Sequence, residues 1–319
     1  MADYRMAERL TPYLRQLIAK GNTAIEMQYR QDVPMSQEPE LFPELDPLGE
    51  DSRYSKGSGI VHKFGNRVLW KATFRCAAHC QFCTRYRQIG TPKGDLSKLD
   101  IETGLAYIAA NPEIDDVILS GGDPLYVPQI TSQIVLGLSK IDSVRVVRIG
   151  TRLPIHSPRT FQSVPIKKLL SLFSEIAKHK AMYALIQFNH PDELTKEVDV
   201  VLRELVQAGM VLLSQTVFLK GVNDSKDILA KLFCELFYRG VVPYYIYRCD
   251  YVHGLERFVC ELNVERKIMT ELTKTLSGIA VPTYVIDVAG RGKIPVPLEF
   301  WKPTALVSCV DFDGKKMLV

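Results

Sequence analysis

What most constrains this chain is a rhythm that sets in after residue 60. Apolar, β-branched runs at 68–74, 117–120, 144–149, 182–188, 211–219, 242–247 and 281–288 alternate with helix-period segments at 101–111, 129–139, 164–179, 194–208, 225–239 and 262–277. Strands alternating with helices of that length make βαβ units and a parallel sheet. The runs are apolar at successive positions, as strands covered on both faces are. Six strand–helix units are too many for a small doubly wound sheet and too few for an eight-fold barrel. An α/β fold with a partial (β/α)6 barrel is therefore predicted. An N-terminal helical extension and a Pro- and acid-rich connector (1–55) precede the barrel (56–295), and a short tail (296–319) follows it. In such a barrel the chemistry gathers at the C-terminal ends of the strands. Three cysteines follow the first strand, Gly121-Gly122-Asp123 the second, Arg148 to Arg152 the third, Asn189-His190 the fourth, Asp250 the sixth and Asp287 the last.

Composition narrows the setting. The 319 residues are 46% hydrophobic, enough for a large core, and the formal charge of +4 comes from Lys and Arg spread along the chain. That distribution describes a solvated surface and argues against a nucleic-acid patch. The amphipathic N-terminus lacks an apolar signal region, and no run reaches the ~18 apolar residues of a membrane span. Seven cysteines, an odd number with three inside one short loop, fit a metal site in the reducing cytoplasm better than a disulfide framework.

That loop reads FRCAAHCQFCTRYR, with Cys76, Cys80 and Cys83 spaced C-x3-C-x2-C. Three soft, anionic thiolates can hold three irons of a [4Fe–4S] cubane and leave the fourth open. The alternative is a zinc knuckle, but zinc normally takes four ligands, and His79 is the other obvious donor in the loop. The spacing, directly after a strand that opens a βα repeat, resembles the radical S-adenosylmethionine superfamily. That resemblance implies that the open iron chelates S-adenosylmethionine and that a deoxyadenosyl radical abstracts a substrate hydrogen. It places Phe82 near the adenine and Gly121, Gly122 and Asp123 at the methionine amino group. A core Phe and a simple turn are the competing readings.

A more specific resemblance extends over residues 45 to 300. DPLGE, CTRYR, LSGGDPL, RIGTRLPI, FNHPDELT, FLKGVND, PYYIYRCD, VPTYVID and GRGKIPV together resemble the lysine 2,3-aminomutases. The family uses pyridoxal 5′-phosphate beside S-adenosylmethionine, and moves the α-amino group of an amino acid to the β-carbon. By that resemblance Lys293 carries the Schiff base, in a glycine-containing loop that turns the ammonium inward. Arg67 and Lys63 match phosphate-binding positions. Arg85 matches the clamp on the substrate carboxylate, and Asp250 and Asp287 match two acids that hold a distal ammonium. His190, Gln215 and Tyr247 match polar positions near the cofactors.

The chain also departs from the family. Phe64 replaces a tyrosine, Arg291 a glycine, and Arg248 stands where a neutral polar residue is familiar, close enough to Asp250 to blunt its attraction for lysine. Ser225 replaces a zinc-binding cysteine and Cys309 stands alone in the tail, so no zinc is expected. The expected function is an isomerase, a 2,3-aminomutase of L-lysine or a similar basic amino acid. A flavodoxin or ferredoxin is the expected electron donor, with no nucleic-acid or membrane partner and homo-oligomerisation left open. Two rivals are a mutase supplying β-lysine for elongation factor P, and an iron–sulfur sensor or binding protein without turnover.

Overall fold

The computed structural model describes residues 6–31, 46, 48–92, 94–252, 254–288 and 291–299, with the backbone of 308–310 and 316–318. Residues 1–5, most of the connector, Ala289 and Gly290 of the lysine loop, most of the tail and the side chain of Cys309 lie outside these. Two helices, α1 (Pro12–Ala19) and α2 (Thr23–Tyr29), replace the single N-terminal helix the sequence predicts. Gly21, at φ +86°, breaks the chain between them.

A hairpin the sequence reading missed comes next: β1 (Ile60–Phe64) pairs antiparallel with β2 (Arg67–Thr73). The expected units follow, with a short helix at Leu153–His156 and a final strand at Gly292–Pro295 added to them. They are α3 (Lys98–Ala109), β3 (Asp116–Gly121), α4 (Pro128–Ser139), β4 (Val146–Thr151), the short α5 (Leu153–His156), α6 (Val164–Ile176), β5 (Ala181–Gln187) and α7 (Lys196–Gln207). Then come β6 (Val211–Val217), α8 (Lys226–Tyr238), β7 (Val242–Tyr247), α9 (Leu262–Thr275), β8 (Thr283–Val288) and β9 (Gly292–Pro295). A separate ribbon joins β10 (Ser308–Val310) to β11 (Lys316–Leu318).

The strands form one nine-stranded sheet whose order follows the chain. β2 to β8 are parallel, and β1 and β9 close the two edges antiparallel. The sheet is curled: Lys63 Nζ, from β1, lies 3.5 Å from Asp287 Oδ1, on β8 near the opposite edge. This is the partial barrel the rhythm predicts. The two-residue side-chain period of a strand explains its two faces. Val117 and Leu119, Val147 and Ile149, Ala184 and Ile186 are buried in the core with the helices. The intervening Ile118, Ser120, Arg148, Gly150, Leu185 and Gln187 face a cavity on the concave side.

The N-terminal helices dock across the cysteine loop. Thr11 Oγ1 donates to the carbonyl of His156 at 2.5 Å, and Tyr13 Oη lies 2.6 Å from Thr195 Oγ1. The amides of His79 and Gln81 donate to the carbonyls of Arg9 and Gln28, at 3.0 and 2.8 Å.

On the helical side, α3 sits so close to β2 that a Cβ on Gly104 would stand 2.2 Å from the buried Trp70 ring. Gly104→Ala should therefore destabilise the fold by about 1–3 kcal/mol through overpacking. Gly278→Ala, with nothing within 4 Å of its new methyl, is the control. Urea midpoints decide it, and equal midpoints for the two variants contradict the close approach.

Candidate active site

The concave side holds a cavity of about 540 Å³. Cys76, Cys80 and Cys83 reach one end of it from the loop after β2, with Phe82 alongside. Burial pushes all three thiols up, Cys83 to about 12, so their ionisation requires a compensating positive charge. His79, the other donor considered for a zinc knuckle, has its Nδ1 2.8 Å from the Ala7 carbonyl. Among the described residues, no three His, Cys, Asp or Glu side chains close on a single ion-sized point. A cubane sets a different requirement, since each thiolate binds a different iron. Around Cys80, the buried Arg152 Nε and His156 Nδ1 have no hydrogen-bond partner among the described residues. Buried polar atoms are normally satisfied, so this end suits a polar or charged group.

The Gly-Gly-Asp element braces the cysteine loop. A Cβ on Gly121 or Gly122 would stand 2.5 Å from the Thr73 carbonyl oxygen or 2.3 Å from that of Arg75. Gly121 also sits at φ +103°, where only glycine is at ease. Asp123 lines the cavity, but its carboxylate accepts hydrogen bonds from Thr151 Oγ1 and the Arg152 amide, both at 2.8 Å, and from the Leu125 amide at 3.1 Å. The sequence assigns this acid to a ligand ammonium; its oxygens are already engaged by the protein's own donors.

At the other end, Lys293 lies on β9 in register with Asp287 of β8. Strand pairing aims its ammonium, and Gly292 beside it sits at φ +87°. Lys293 Nζ is 2.7 Å from Asp287 Oδ2 and 5.5 Å from the Tyr247 ring centre. Asp287, expected to hold a substrate ammonium, is thus held by Lys293 and Lys63. Gln215 Nε2 donates to Tyr247 Oη at 3.0 Å, and both side chains line the cavity.

The basic positions converge here as well. Arg67 stacks 4.2 Å from the ring centre of Phe64, so the residue that lacks the family's hydroxyl serves as a platform for the guanidinium. Arg148, which sequence left without a role, also faces the cavity, with its fork on Asp116 (Nε to Oδ1 2.9 Å). Lys63, Arg67, Arg148 and Lys293 give this end the positive charge that a phosphate and a lysine-bound cofactor require.

Between the ends stand Arg85 and Asp250. Arg85 grips Glu50 in a bidentate pair, with Nε to Oε2 2.6 Å and Nη2 to Oε1 2.7 Å, while its Nη1 donates to Ser120 Oγ at 3.2 Å. Although burial opposes it, the Arg85 charge lowers the Glu50 carboxyl below its ordinary range. The fork expected to clamp a substrate carboxylate is therefore filled by the chain's own Glu50, and Nη1 is the edge toward Ser120. Asp250 differs. Among the described residues no side chain hydrogen-bonds its carboxylate, and burial, with Asp287 nearby, pushes it up to about 7.

Two side chains point elsewhere than the sequence suggests. His190 does not line the cavity; it caps the turn at 191–193, its Nδ1 accepting from the Asp192 amide at 3.2 Å. Arg248 does not blunt the pocket either. Its side chain turns into the protein, with Nη1 2.8 Å from Glu265 Oε2 and Nη2 2.6 Å from Tyr251 Oη. The sequence places Arg148 and Arg152 at a strand end without giving either a role, and it misses Glu50, which lies inside the quoted DPLGE segment.

No protein-family model matches the chain. It is 36% identical over 291 residues to an L-lysine 2,3-aminomutase of Methanococcus maripaludis, covering 90% of this chain and 65% of that protein. The chain thus spans just under two thirds of that relative's length. It is 36% identical over 300 residues to the L-lysine 2,3-aminomutase of Fusobacterium nucleatum, covering 93% of this chain and 68% of the relative. A putative L-lysine 2,3-aminomutase of Treponema pallidum is 32% identical over 297 residues, with 91% and 81% covered. Among solved structures, a radical SAM methyltransferase from Sphaerobacter thermophilus superposes with a TM-score of 0.51 at 13% identity, over 72% of this chain and 71% of that one. That likeness bears on the fold, and agrees with the curled sheet. The identities to the aminomutases, sustained over nearly the whole chain, place it: the chain belongs to the lysine 2,3-aminomutase family.

Proposed function

We propose that this chain is a cytoplasmic radical S-adenosylmethionine, pyridoxal-phosphate-dependent 2,3-aminomutase that acts on L-lysine or a similar basic amino acid. The observation that carries the reading is one cavity holding three cysteine thiols, an acid-paired lysine among cationic side chains, and a buried carboxylate with no side-chain donor among the described residues. The names of the curated relatives support lysine as the substrate. Among the described residues no helix is long and apolar enough to cross a membrane.

In this reading Cys76, Cys80 and Cys83 hold the [4Fe–4S] cluster, and Phe82 packs beside S-adenosylmethionine. When bound, the cluster and S-adenosylmethionine would supply hydrogen-abstracting radical chemistry with an electron from a flavodoxin- or ferredoxin-type donor, and pyridoxal phosphate would supply a carbonyl group to carry the migrating nitrogen. The chain's own residues position the reactants. Lys293 offers the amine that binds the aldehyde, and Asp287 holds its proton. Lys63, Arg67 and Arg148 receive the phosphate. Asp250 takes a distal ammonium, a charge-assisted bond in a site shielded from water. Arg85 and Ser120 face the α-carboxylate, with Glu50 fixing the guanidinium plane. The amino group leaves the α-carbon for the β-carbon while a hydrogen moves the other way, so the net reaction is an isomerisation.

Cys76→Ala, Cys80→Ala and Cys83→Ala should each abolish deoxyadenosine formation after reconstitution, whereas Cys234→Ala should leave it intact. Cleavage of S-adenosylmethionine by Cys76→Ala at the wild-type rate overturns the cluster assignment.

Borohydride reduction of the pyridoxal-loaded enzyme should leave the phosphopyridoxyl group on Lys293 in a peptide map. Recovery on a different lysine refutes its role.

The substrate test uses pH. Below about 7 Asp250 is protonated and neutral; above it, the carboxylate attracts an ammonium. Through this group, kcat/KM for lysine should rise with pH up to about 7 and then level off. Asp250→Asn should remove that limb and lower kcat/KM at least tenfold, since breaking such a buried charge pair costs about 2–5 kcal/mol. A lysine profile that Asp250→Asn leaves unchanged contradicts the basic-substrate reading.

A further inference from the structure

The three cysteines are not equivalent. Arg152, at the end of β4, donates from Nη1 to Cys80 Sγ at 3.0 Å. Its Nη2 is held by Glu193 Oε1 at 2.7 Å and by Gln28 Oε1 at 3.1 Å. Glu193 is fully buried and fixed in turn, its Oε2 accepting from the amides of Asn189 and His190 at 2.7 and 3.2 Å. The guanidinium lies close to two aromatic side chains, its Cζ 5.5 Å from the Tyr29 ring centre and 5.2 Å from that of Phe82. The side chain is 6% exposed, so this is a buried cation fixed on several sides. These residues come from α2, the cysteine loop, the end of β4 and the turn after β5, segments that only the fold brings together.

We propose that Arg152 is a positioning residue for the iron–sulfur centre: it directs a fixed positive hydrogen bond at the sulfur of one ligand, Cys80, and makes the cluster easier to reduce. The inference rests on the cluster reading above. A cation and donor at a ligand sulfur stabilise the reduced cluster, which carries one more negative charge, relative to the oxidised one. The reducing electron comes from the external donor, and Arg152 itself gains or loses nothing. Glu193 and Gln28 set the direction of the guanidinium. The N-terminal extension, through Gln28 and Tyr29, thereby becomes part of the cluster's electrostatic surroundings.

The test is a redox titration of the reconstituted full chain, followed by the electron paramagnetic resonance of the reduced cluster, with iron and sulfide counted in every sample. Arg152→Gln should keep its cluster and titrate at a more negative midpoint potential than wild type. Because that change leaves Glu193 buried and unpaired, the double variant Arg152→Gln/Glu193→Gln, which removes both charges, is measured beside it. Arg152→Lys, which retains the charge, should fall between wild type and Arg152→Gln. A clustered neutral variant that titrates at the wild-type potential overturns the proposal. Loss of the cluster from all the variants overturns it too, because Arg152 then serves packing alone. Absence of iron and sulfide from the wild-type chain defeats the cluster reading instead, so the two failures are distinguishable.

Discussion

The structure depends on the curl that brings the two ends of a nine-stranded sheet together across one acid. Asp287 receives Lys293 from the neighbouring edge strand and Lys63 from the strand at the far edge. A flat sheet would hold these lysines far apart, because each further strand adds ~4.8 Å. Curling turns every second residue of the parallel strands into a cavity wall and leaves the alternate residues to the helices. The cavity is therefore polar and charged on one side of the backbone while the other side of the same strands is core. Function and stability occupy alternate positions of the same segments.

The two ends of that cavity are built by different means. The cysteine end is made of loops, and loops need bracing; the Gly-Gly-Asp element, Arg152 and the carbonyls of the N-terminal extension provide it. The cationic end is made of strands, whose ladders aim side chains without further help. Lys293 is the clearest case, since its pairing with Asp287 follows from register alone. Between the two, the Arg85–Glu50 pair shows that a buried guanidinium is given a carboxylate within the protein, as the desolvation cost of an isolated charge requires.

Much of this was legible in sequence because parallel strands covered on both faces announce themselves as apolar runs. All seven runs became strands, and the helices between them fell within a few residues of their expected places. β1 and β9 were overlooked because an edge strand needs to be apolar on one side only, and β9 is four residues long with a proline at its end. The Gly65-Asn66 turn between Phe64 and Arg67 was a hairpin signal of the usual kind. The cysteine triplet, Lys293 and Asp250 were visible through motif. What side chains do after folding was not. Arg248 sits two residues before Asp250 yet turns to Glu265, and His190 caps its own turn. Arg85 meets a glutamate 35 residues earlier. Each of these outcomes depends on a partner that periodicity cannot supply.

The docking of the N-terminal helices has a consequence for how the protein is made. Their partners are distant in the chain: Tyr13 meets Thr195 across 182 positions and Thr11 meets His156 across 145. During synthesis the cysteine loop leaves the ribosome before either partner exists, so the helices can then reach the loop but not their anchors on the barrel. Contacts of such long sequence separation form late, after the local strand–helix units have condensed. The enclosure of the loop therefore draws on both local contacts and distant ones. Full enclosure of the cysteine loop is thereby tied to completion of the barrel.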